Sequence, residues 1–296
     1  MSAGTVVKGI GGFYFVHDGT ETVMGKARGN LKRNKELIYV GDIVDFDIDK
    51  DDRDGECVIN SVIERKNYLA RPPVSNLDML VVVFSLKQPD VYFPVIDKLI
   101  AGCETAGIEP VVCISKTDLA PAEELREVLE IYGAIYPAVC INGLTGEGAG
   151  DLREIIKGRR VALAGPSGVG KSTITNLLHH ADEVYEVKAE TGNISEKTGR
   201  GRHTTRHVEI FPLNDGTMLY DTPGFTSLDM PRTDMRQVRD LFPEFRKYQQ
   251  GCRYADCMHL NEPDCAVKEA LASGGIAQSR YDSYRIMTEE VKKWQK

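Results

Sequence analysis

The residues with the clearest chemical implication form a glycine-rich loop, GPSGVGKS, at positions 165–172. The loop matches G-x-x-x-x-G-K-[ST] at every fixed position, and it lies between a segment typical of a strand and one typical of a helix. In such loops the backbone amides surround phosphate oxygens, the lysine reaches the β- and γ-phosphates, and the serine binds Mg²⁺. We therefore predict that Lys171 is a catalytic phosphate ligand and that Ser172 is a magnesium ligand. The predicted nucleotide-binding residues of this loop are Gly165, Pro166, Ser167, Gly168, Val169, Gly170, Lys171, Ser172 and Thr173.

Two segments after this loop complete a triphosphate site. YDTPGF ends an apolar stretch and supplies D-x-x-G, in which Asp221 would hold Mg²⁺ and the amide of Gly224 would contact the γ-phosphate. Between the two motifs lies the polar segment EKTGRGRHTTR, where Thr204 or Thr205 would close over the metal and the γ-phosphate. Position alone does not choose between these threonines. Both are candidate catalytic residues, and Thr205 is our candidate magnesium ligand.

Two segments before the phosphate loop indicate that the base is guanine. SKTD, at 115–118, resembles the guanine-reading motif N-K-x-D, in which the aspartate accepts hydrogen bonds from N1–H and N2–H₂ of the base and the lysine lies over its plane. CINGLTGEG, at 140–148, follows another apolar stretch and resembles the loop S-A-x-x-G-x-G beside the base. The predicted base-site residues are Ser115, Lys116, Thr117, Asp118, Asn142 and Gly143.

The order of these motifs is a cyclic shift of the usual GTPase order. The base motif and base loop come first, and the phosphate loop, the threonine segment and D-x-x-G follow. A parallel sheet tolerates such a permutation because its chain termini lie at the surface. We therefore predict a circularly permuted P-loop GTPase domain of the α/β class.

A cysteine- and histidine-rich segment near the C-terminus predicts a metal site. Its pattern is Cys252-x4-Cys257-x-His259-x5-Cys265, whose three thiolates and one imidazole form the ligand set of a closed, structural zinc site. Zinc is favoured over disulfides in a cytosolic protein.

The pattern of apolar and polar residues changes twice along the sequence and predicts three domains. Residues 1–68 hold short alternating segments typical of a small β-barrel, and residues 69–228 alternate apolar strands with amphipathic helices. Residues 229–296 lack a strand pattern and predict a mostly helical zinc-binding domain.

The composition and charge exclude several classes. The longest apolar run is far shorter than the roughly 20 residues that span a bilayer, and the N-terminal segment lacks the apolar core of a signal peptide, so we expect a cytoplasmic protein without membrane contact. The net charge of −7 argues against a generally basic nucleic-acid coat, although KARGNLKRNK is a local basic run.

The permuted order, GPSGVGKST, GRHTTR, DTPGF and the Cys/His pattern together resemble the ribosome small-subunit-dependent GTPase A family over essentially the whole chain. This resemblance implies an N-terminal OB-fold barrel, a permuted GTPase domain and a zinc-binding domain. It also implies binding of GTP and GDP with Mg²⁺, contact with the 30S subunit and its 16S rRNA, a role in late 30S maturation, and hydrolysis stimulated by that subunit. We expect a monomer. The candidate rRNA contacts in the barrel are Arg28, Lys32, Arg33 and Lys35.

Three departures from the usual GTPase pattern bear on affinity and catalysis. Ser115 replaces the usual asparagine, which removes amide contacts to the base and the phosphate loop, and Asn142-Gly143 replaces Ser-Ala. Phe225 stands where Ras-type GTPases place a water-orienting glutamine, so we predict that His203 orients or deprotonates the attacking water. Two alternatives remain: a P-loop ATPase or kinase of metabolism, and a GDP-binding RNA scaffold that does not hydrolyse GTP.

Overall fold

The computed structural model describes residues 2–29, 31, 37–48, 56–179, 208–222, 225–226 and 234–294. The chain divides into two compact units that do not follow chain order. The first unit contains residues 1–79, 153–163 and 174–225, and the second contains residues 80–152, 164–173 and 226–296. Within the described residues, no helix is both long and apolar enough to cross a membrane.

The N-terminal part of the first unit is a closed five-stranded barrel. Its strands are β1 (Ser2–Ile10), β2 (Phe13–His17), β3 (Thr22–Ala27), β4 (Ile43–Ile48) and β5 (Cys57–Val62). They pair in the order β1-β2-β3-β5-β4, and β4 closes the barrel by pairing with β1. The barrel core is apolar and includes Val6, Val16, Leu31, Val44, Phe46, Cys57 and Ile59. The predicted barrel is therefore confirmed, and β1 is a strand that our sequence interpretation missed.

A short hairpin follows the barrel, and three strands complete the first unit. The hairpin consists of β6 (Tyr68–Ala70) and β7 (Pro73–Ser75). Strand β11 (Arg160–Ala164) pairs in parallel with β13 (Met218–Asp221), and β12 (Glu209–Pro212) pairs antiparallel with β13 and with β1. The apolar stretch that ends in YDTPGF is therefore a strand, β13, and its neighbour β12 runs antiparallel to it.

The second unit holds a three-stranded sheet with the order β10-β9-β8. Its strands are β8 (Met79–Ser85), β9 (Glu109–Ser115) and β10 (Ala138–Ile141). The connecting helices are α1 (Phe93–Ala106) and α2 (Ala122–Gly133), and α3 (Ala149–Ile156) follows β10. Strands β9 and β10 pair in parallel. Strand β8 is buried along its whole length, as its continuous apolar sequence predicts for a parallel strand covered on its faces.

The remaining helices are α4 at 171–179, directly after the phosphate loop, and four helices in the C-terminal part. These are α5 (Met235–Asp240), α6 (Pro243–Gln249), α7 (Ala266–Ala272) and α8 (Gln278–Trp294). Tyr284, Met287 and Val291 of α8 are buried, as their helical spacing predicts for packing residues.

A buried arginine joins the C-terminal helices to α1 and α2 within the second unit. The guanidinium of Arg280 donates to Asp97 of α1 at 2.6 Å and to Glu244 of α6 at 2.7 Å and 3.1 Å. The hydroxyl of Tyr132 in α2 donates to the same Asp97 oxygen at 2.8 Å. The side chains of Arg280 and Asp97 are 1% and 0% exposed, so each charge is compensated by the other in a site without solvent.

Candidate nucleotide site and metal centre

The phosphate loop of residues 165–173 connects β11 to α4, as the motif predicts. The first glycine is required by its surroundings, because a Cβ atom on Gly165 would lie 1.9 Å from the carbonyl oxygen of Val83. The ammonium of Lys171 donates to the carbonyl oxygens of Gly165 at 2.7 Å and Pro166 at 2.9 Å. Burial lowers the pKa of Lys171. The lysine is therefore held against the loop backbone, where phosphate oxygens bind in P-loop proteins.

Ser115 links the base motif to the phosphate loop. It is the last residue of β9, and its buried hydroxyl lies 2.6 Å from the carbonyl oxygen of Val169 and 3.0 Å from that of Phe84. Because one hydroxyl carries one proton, the shorter contact to Val169 is the stronger hydrogen bond. The residue that replaces asparagine therefore keeps a contact with the phosphate loop, through its hydroxyl instead of an amide.

The rest of the base motif follows β9 in a tight turn. Lys116 has a left-handed backbone with φ 54°, and its ammonium donates to the carbonyl oxygen of Gln88 at 2.6 Å. A short 3-10 helix, Thr117–Leu119, carries Asp118, whose side chain is exposed. The carboxylate is thus accessible to a base at the carboxyl end of β9, where ligands bind in open α/β sheets.

The base loop follows β10 and lies beside the phosphate-loop helix. A Cβ atom on Gly143 would lie 3.1 Å from Cγ2 of Thr173. The side-chain oxygen of Asn142 accepts the amides of Leu144 at 2.9 Å and Thr145 at 3.3 Å. Asn142 therefore shapes the loop through its side-chain oxygen, while Gly143 lies close to α4.

The predicted magnesium and switch residues are described in part. Ser172 is exposed in the first turn of α4, and Asp221 is the last residue of β13. Phe225, which stands where Ras-type GTPases place a water-orienting glutamine, is buried. Four predicted site residues lie outside the described residues: His203, Thr204, Thr205 and Gly224.

The barrel residues predicted to contact RNA are also described in part. Arg28 is exposed and donates to the side-chain oxygen of Asn60 at 2.8 Å. Lys32, Arg33 and Lys35 lie outside the described residues.

The four predicted zinc ligands come together in the second unit. The ligand atoms of Cys252, Cys257, His259 and Cys265 all lie within 4.8 Å of one another. Sγ of Cys252 is 3.9 Å from Sγ of Cys265, and Nδ1 of His259 is 3.6 Å and 3.4 Å from these two sulfurs. Tetrahedral zinc bonds of about 2.3 Å to sulfur and about 2.0–2.1 Å to nitrogen require separations of about 3.8 Å between sulfurs and about 3.6 Å between sulfur and nitrogen. The cluster therefore fits a zinc ion bound through Nδ1 of the histidine.

The acid–base state of the cluster is suited to a metal. Burial lowers the pKa of His259 to about 4, with a further contribution from the charge of Arg239, so its imidazole is neutral at pH 7. Burial raises the pKa of Cys257 to about 12 and also raises that of Cys265. Without a metal these thiols keep their protons, so zinc binding must displace the protons. The bound metal would stabilise the fold of this segment.

A polar shell holds the metal-site loop, and our sequence interpretation missed it. The carboxylate of Glu262 accepts the amides of Met258, Leu260 and Asn261 at 3.0, 2.9 and 3.1 Å. Tyr281 and Tyr284 of α8 donate their hydroxyls to the carbonyl oxygens of His259 and Met258. The spacing of these tyrosines on α8 indicates only that they lie on one face of the helix. It does not reveal the hydrogen bonds of their hydroxyls, because phenylalanine would give the same pattern.

The fold and the placement of these motifs define a circularly permuted P-loop GTPase with an N-terminal five-stranded barrel and a helical C-terminal part that contains a Cys₃His cluster. Residues 62–231 match the RsgA GTPase domain family, and residues 3–56 match the RsgA N-terminal domain family. The chain belongs to the RsgA GTPase family and is a GTP-hydrolysing enzyme.

Known relatives and solved structures match this chain over nearly its full length. The "Small ribosomal subunit biogenesis GTPase RsgA" of Agathobacter rectalis is 41% identical, with 99% of each chain covered. The protein of the same name from Caldanaerobacter subterraneus is also 41% identical, with 99% of this chain and 97% of the relative covered. YjeQ from Thermotoga maritima has a TM-score of 0.82 at 34% identity, covering 98% of each chain. YloQ, described as a circularly permuted GTPase, has a TM-score of 0.81 at 30% identity, covering 99% of this chain and 96% of that one.

Proposed function

We propose that this GTPase binds the small ribosomal subunit and acts late in its maturation, and that the subunit stimulates GTP hydrolysis. The observation that supports the nucleotide part is the meeting of three separate sequence segments in one compact unit. The base motif contacts the phosphate loop through Ser115 and Val169, and the base loop approaches it through Gly143 and Thr173. The printed names of the relatives, which are small-subunit biogenesis GTPases, support the ribosomal part.

The roles of individual residues follow from the chemistry of phosphoryl transfer. Lys171 and the phosphate-loop amides would neutralise charge on the β- and γ-phosphates, and Asp118 would select guanine over adenine. Mg²⁺ would be held by Ser172, Asp221 and Thr205, and it would neutralise charge that develops on the triphosphate. The amide of Gly224 would contact the γ-phosphate, and His203 would orient the attacking water.

The other parts of the chain would recognise the subunit. We propose that the barrel contacts 16S rRNA, with Arg28, Lys32, Arg33 and Lys35 on its phosphates, and that one structural zinc ion orders residues 252–265. We further propose domain boundaries at 68/69 and 228/229, a monomeric state, and a cytoplasmic location, where ribosomal subunits are assembled.

The deciding experiment measures phosphate release from GTP and from ATP, each with and without purified small subunits. We expect slow GTP turnover by the protein alone, a large increase with small subunits, and no response with ATP. Equal turnover of ATP would support a P-loop ATPase. Absence of GTP turnover with small subunits, despite GDP binding, would support a non-hydrolysing scaffold.

A further inference from the structure

An aromatic surface lies in the first unit, where the barrel is followed by the β6–β7 hairpin. The rings of Tyr39 and Tyr68 have centroids 4.6 Å apart and are tilted by 38°. The guanidinium carbon of Arg65 lies 4.8 Å from the Tyr39 centroid and 5.8 Å from the Tyr68 centroid. We call Tyr39, Arg65 and Tyr68 the tyrosine platform. Tyr68 remains 40% exposed, so a substantial part of its ring is open to solvent.

The platform is fixed in place by a buried carboxylate. Asp42 accepts from Nε of Arg65 at 2.7 Å and from its Nη2 at 2.9 Å. Asp42 is fully buried and also accepts the amide of Tyr39 at 2.8 Å and the hydroxyl of Ser75 at 2.6 Å. These bonds fix the plane of the guanidinium and the backbone of Tyr39. A surface ordered before binding loses little conformational entropy when a ligand stacks on it.

The stack with Tyr39 covers only part of Tyr68. Its neighbour Leu69 on β6 is buried, while the remaining part of the Tyr68 ring faces solvent. The phenol of Tyr68 is uncharged at pH 7, since its ordinary pKa of about 10 is raised further, to about 12, first by burial and then by a hydrogen bond with Tyr39. A neutral ring beside a fixed guanidinium plane is the kind of surface on which nucleobases stack.

Charged side chains flank the platform in the sequence. Arg65 itself is compensated by Asp42, whereas the side chain of Lys66 is 56% exposed although it pairs with Asp78. Glu64 is exposed as well. The side chain of Arg71, just after β6, is exposed. Single-stranded nucleic acids are bound by this combination of stacking rings and basic residues, whereas a duplex keeps its bases stacked inside.

We propose that the tyrosine platform is a stacking site for an unpaired nucleobase of RNA. The proposal rests on the proposed ribosomal function and adds the chemistry of one RNA contact, which is an unpaired base stacked on Tyr68.

The test measures the affinity of the full chain for a fluorescently labelled single-stranded octanucleotide RNA and for an RNA duplex of the same length, by anisotropy at fixed salt. We expect tighter binding of the single strand and a loss of about tenfold for Tyr68→Ala, since a stacked base contributes about 1–3 kcal/mol. Tyr68→Phe retains the ring and should bind like the unchanged chain. Tyr92→Ala is the matched control, because Tyr92 is 60% exposed in the second unit.

A second readout does not depend on the alanine variant. The chain has one tryptophan, so Trp294→Phe combined with Tyr68→Trp places a single indole on the platform. Quenching of its fluorescence by the single strand, and not by the duplex, is the expected result.

The proposed stacking site would be overturned if the unchanged chain and Tyr68→Ala bound the single strand with equal affinity and the indole were not quenched. An equal loss in Tyr92→Ala would overturn it as well. Turnover of GTP with small subunits is measured in parallel on the unchanged chain. Its absence would contradict the proposed function, and the oligonucleotide titrations would still decide the platform.

Discussion

The hydroxyl of Ser115, at the end of β9, lies 2.6 Å from the carbonyl oxygen of Val169 in the phosphate loop, although 54 positions separate the two residues. One buried hydrogen bond thereby connects the two segments that we propose to bind opposite ends of the nucleotide. A change at this position is expected to affect phosphate binding as well as base binding.

Ser115→Ala should weaken GDP binding. A typical hydrogen bond contributes about 1 kcal/mol, which corresponds to roughly fivefold in affinity, and the carbonyl of Val169 would lose its partner. Titration with a fluorescent GDP analogue measures the change. Ser115→Thr retains a hydroxyl and should restore most of the affinity. Identical GDP affinity in Ser115→Ala would show that this bond does not position the loop.

Asp118→Ala should abolish discrimination between guanine and adenine nucleotides. The carboxylate would otherwise accept two hydrogen bonds from guanine, and bonds to a charged group contribute about 1.5–3 kcal/mol each. GDP affinity should therefore fall at least about 100-fold while ADP affinity stays weak. Competition titrations with GDP and ADP measure the ratio. Asp151→Ala, an exposed acid on α3, is the matched control. A retained preference for GDP in Asp118→Ala would place guanine recognition elsewhere.

His203→Ala should keep GTP binding and lose most of the turnover stimulated by small subunits. Positioned acid–base groups contribute typically 10²–10⁴-fold, which sets the expected decrease in rate. Single-turnover phosphate release with saturating subunits measures it. His207→Ala alters a histidine in the same segment and should retain stimulation. Unchanged stimulated turnover in His203→Ala would remove this residue from the mechanism.

Arg280→Ala should destabilise the second unit severely. The change leaves Asp97 and Glu244 without their cation in a buried site, and breaking such a pair costs about 3–5 kcal/mol. Arg253→Ala is the matched control, because the Arg253–Asp264 pair is 62% and 65% exposed and such pairs contribute about 0–1 kcal/mol. Urea unfolding followed by circular dichroism gives the free energy of unfolding. Similar losses in the two variants would contradict the structural role of Arg280.

Cys257→Ser should remove the zinc ion and loosen the metal-site loop. Three ligands of a closed structural site bind zinc weakly, and the loop depends on the metal for its fold. Elemental analysis should find about one zinc per unchanged chain, and hydrogen exchange should accelerate at 252–265 in the variant. Cys140→Ser alters a half-buried cysteine outside the cluster and should keep its zinc. Full zinc content in Cys257→Ser would exclude this ligand set.

The sequence predicts the strands and motifs of this fold better than the contacts between residues that lie far apart in the sequence. Continuous apolar runs and glycine spacing identify β8, β9, β11 and the phosphate loop, because burial and phosphate binding each impose a local pattern. The Cys₃His cluster is likewise visible in its spacing. In contrast, the Ser115–Val169 bond joins residues with no shared pattern, and a single serine carries no signal of its partner.

The sequence also does not reveal which charged residues pair over long distances along the chain. Arg280 lies in an amphipathic helix that has many polar and charged residues, so it looks like one more solvated side chain, and Asp97 looks like one polar position within α1. Only the tertiary structure buries them together. The same holds for Asp42 and Arg65, which are brought together by the antiparallel pairing of β4 with β5 and not by the sequence around each residue.

The distance along the chain between Asp97 and Arg280, 183 positions, has a consequence for biosynthesis. The strands of the barrel lie within the first 62 residues, so the barrel can form while the rest of the chain is still being translated. The second unit must wait for α8, because a buried carboxylate at Asp97 has no cation until Arg280 has emerged. The unit that contains the predicted guanine-binding motif is therefore completed only after Arg280 has been synthesised, when the barrel can already have folded.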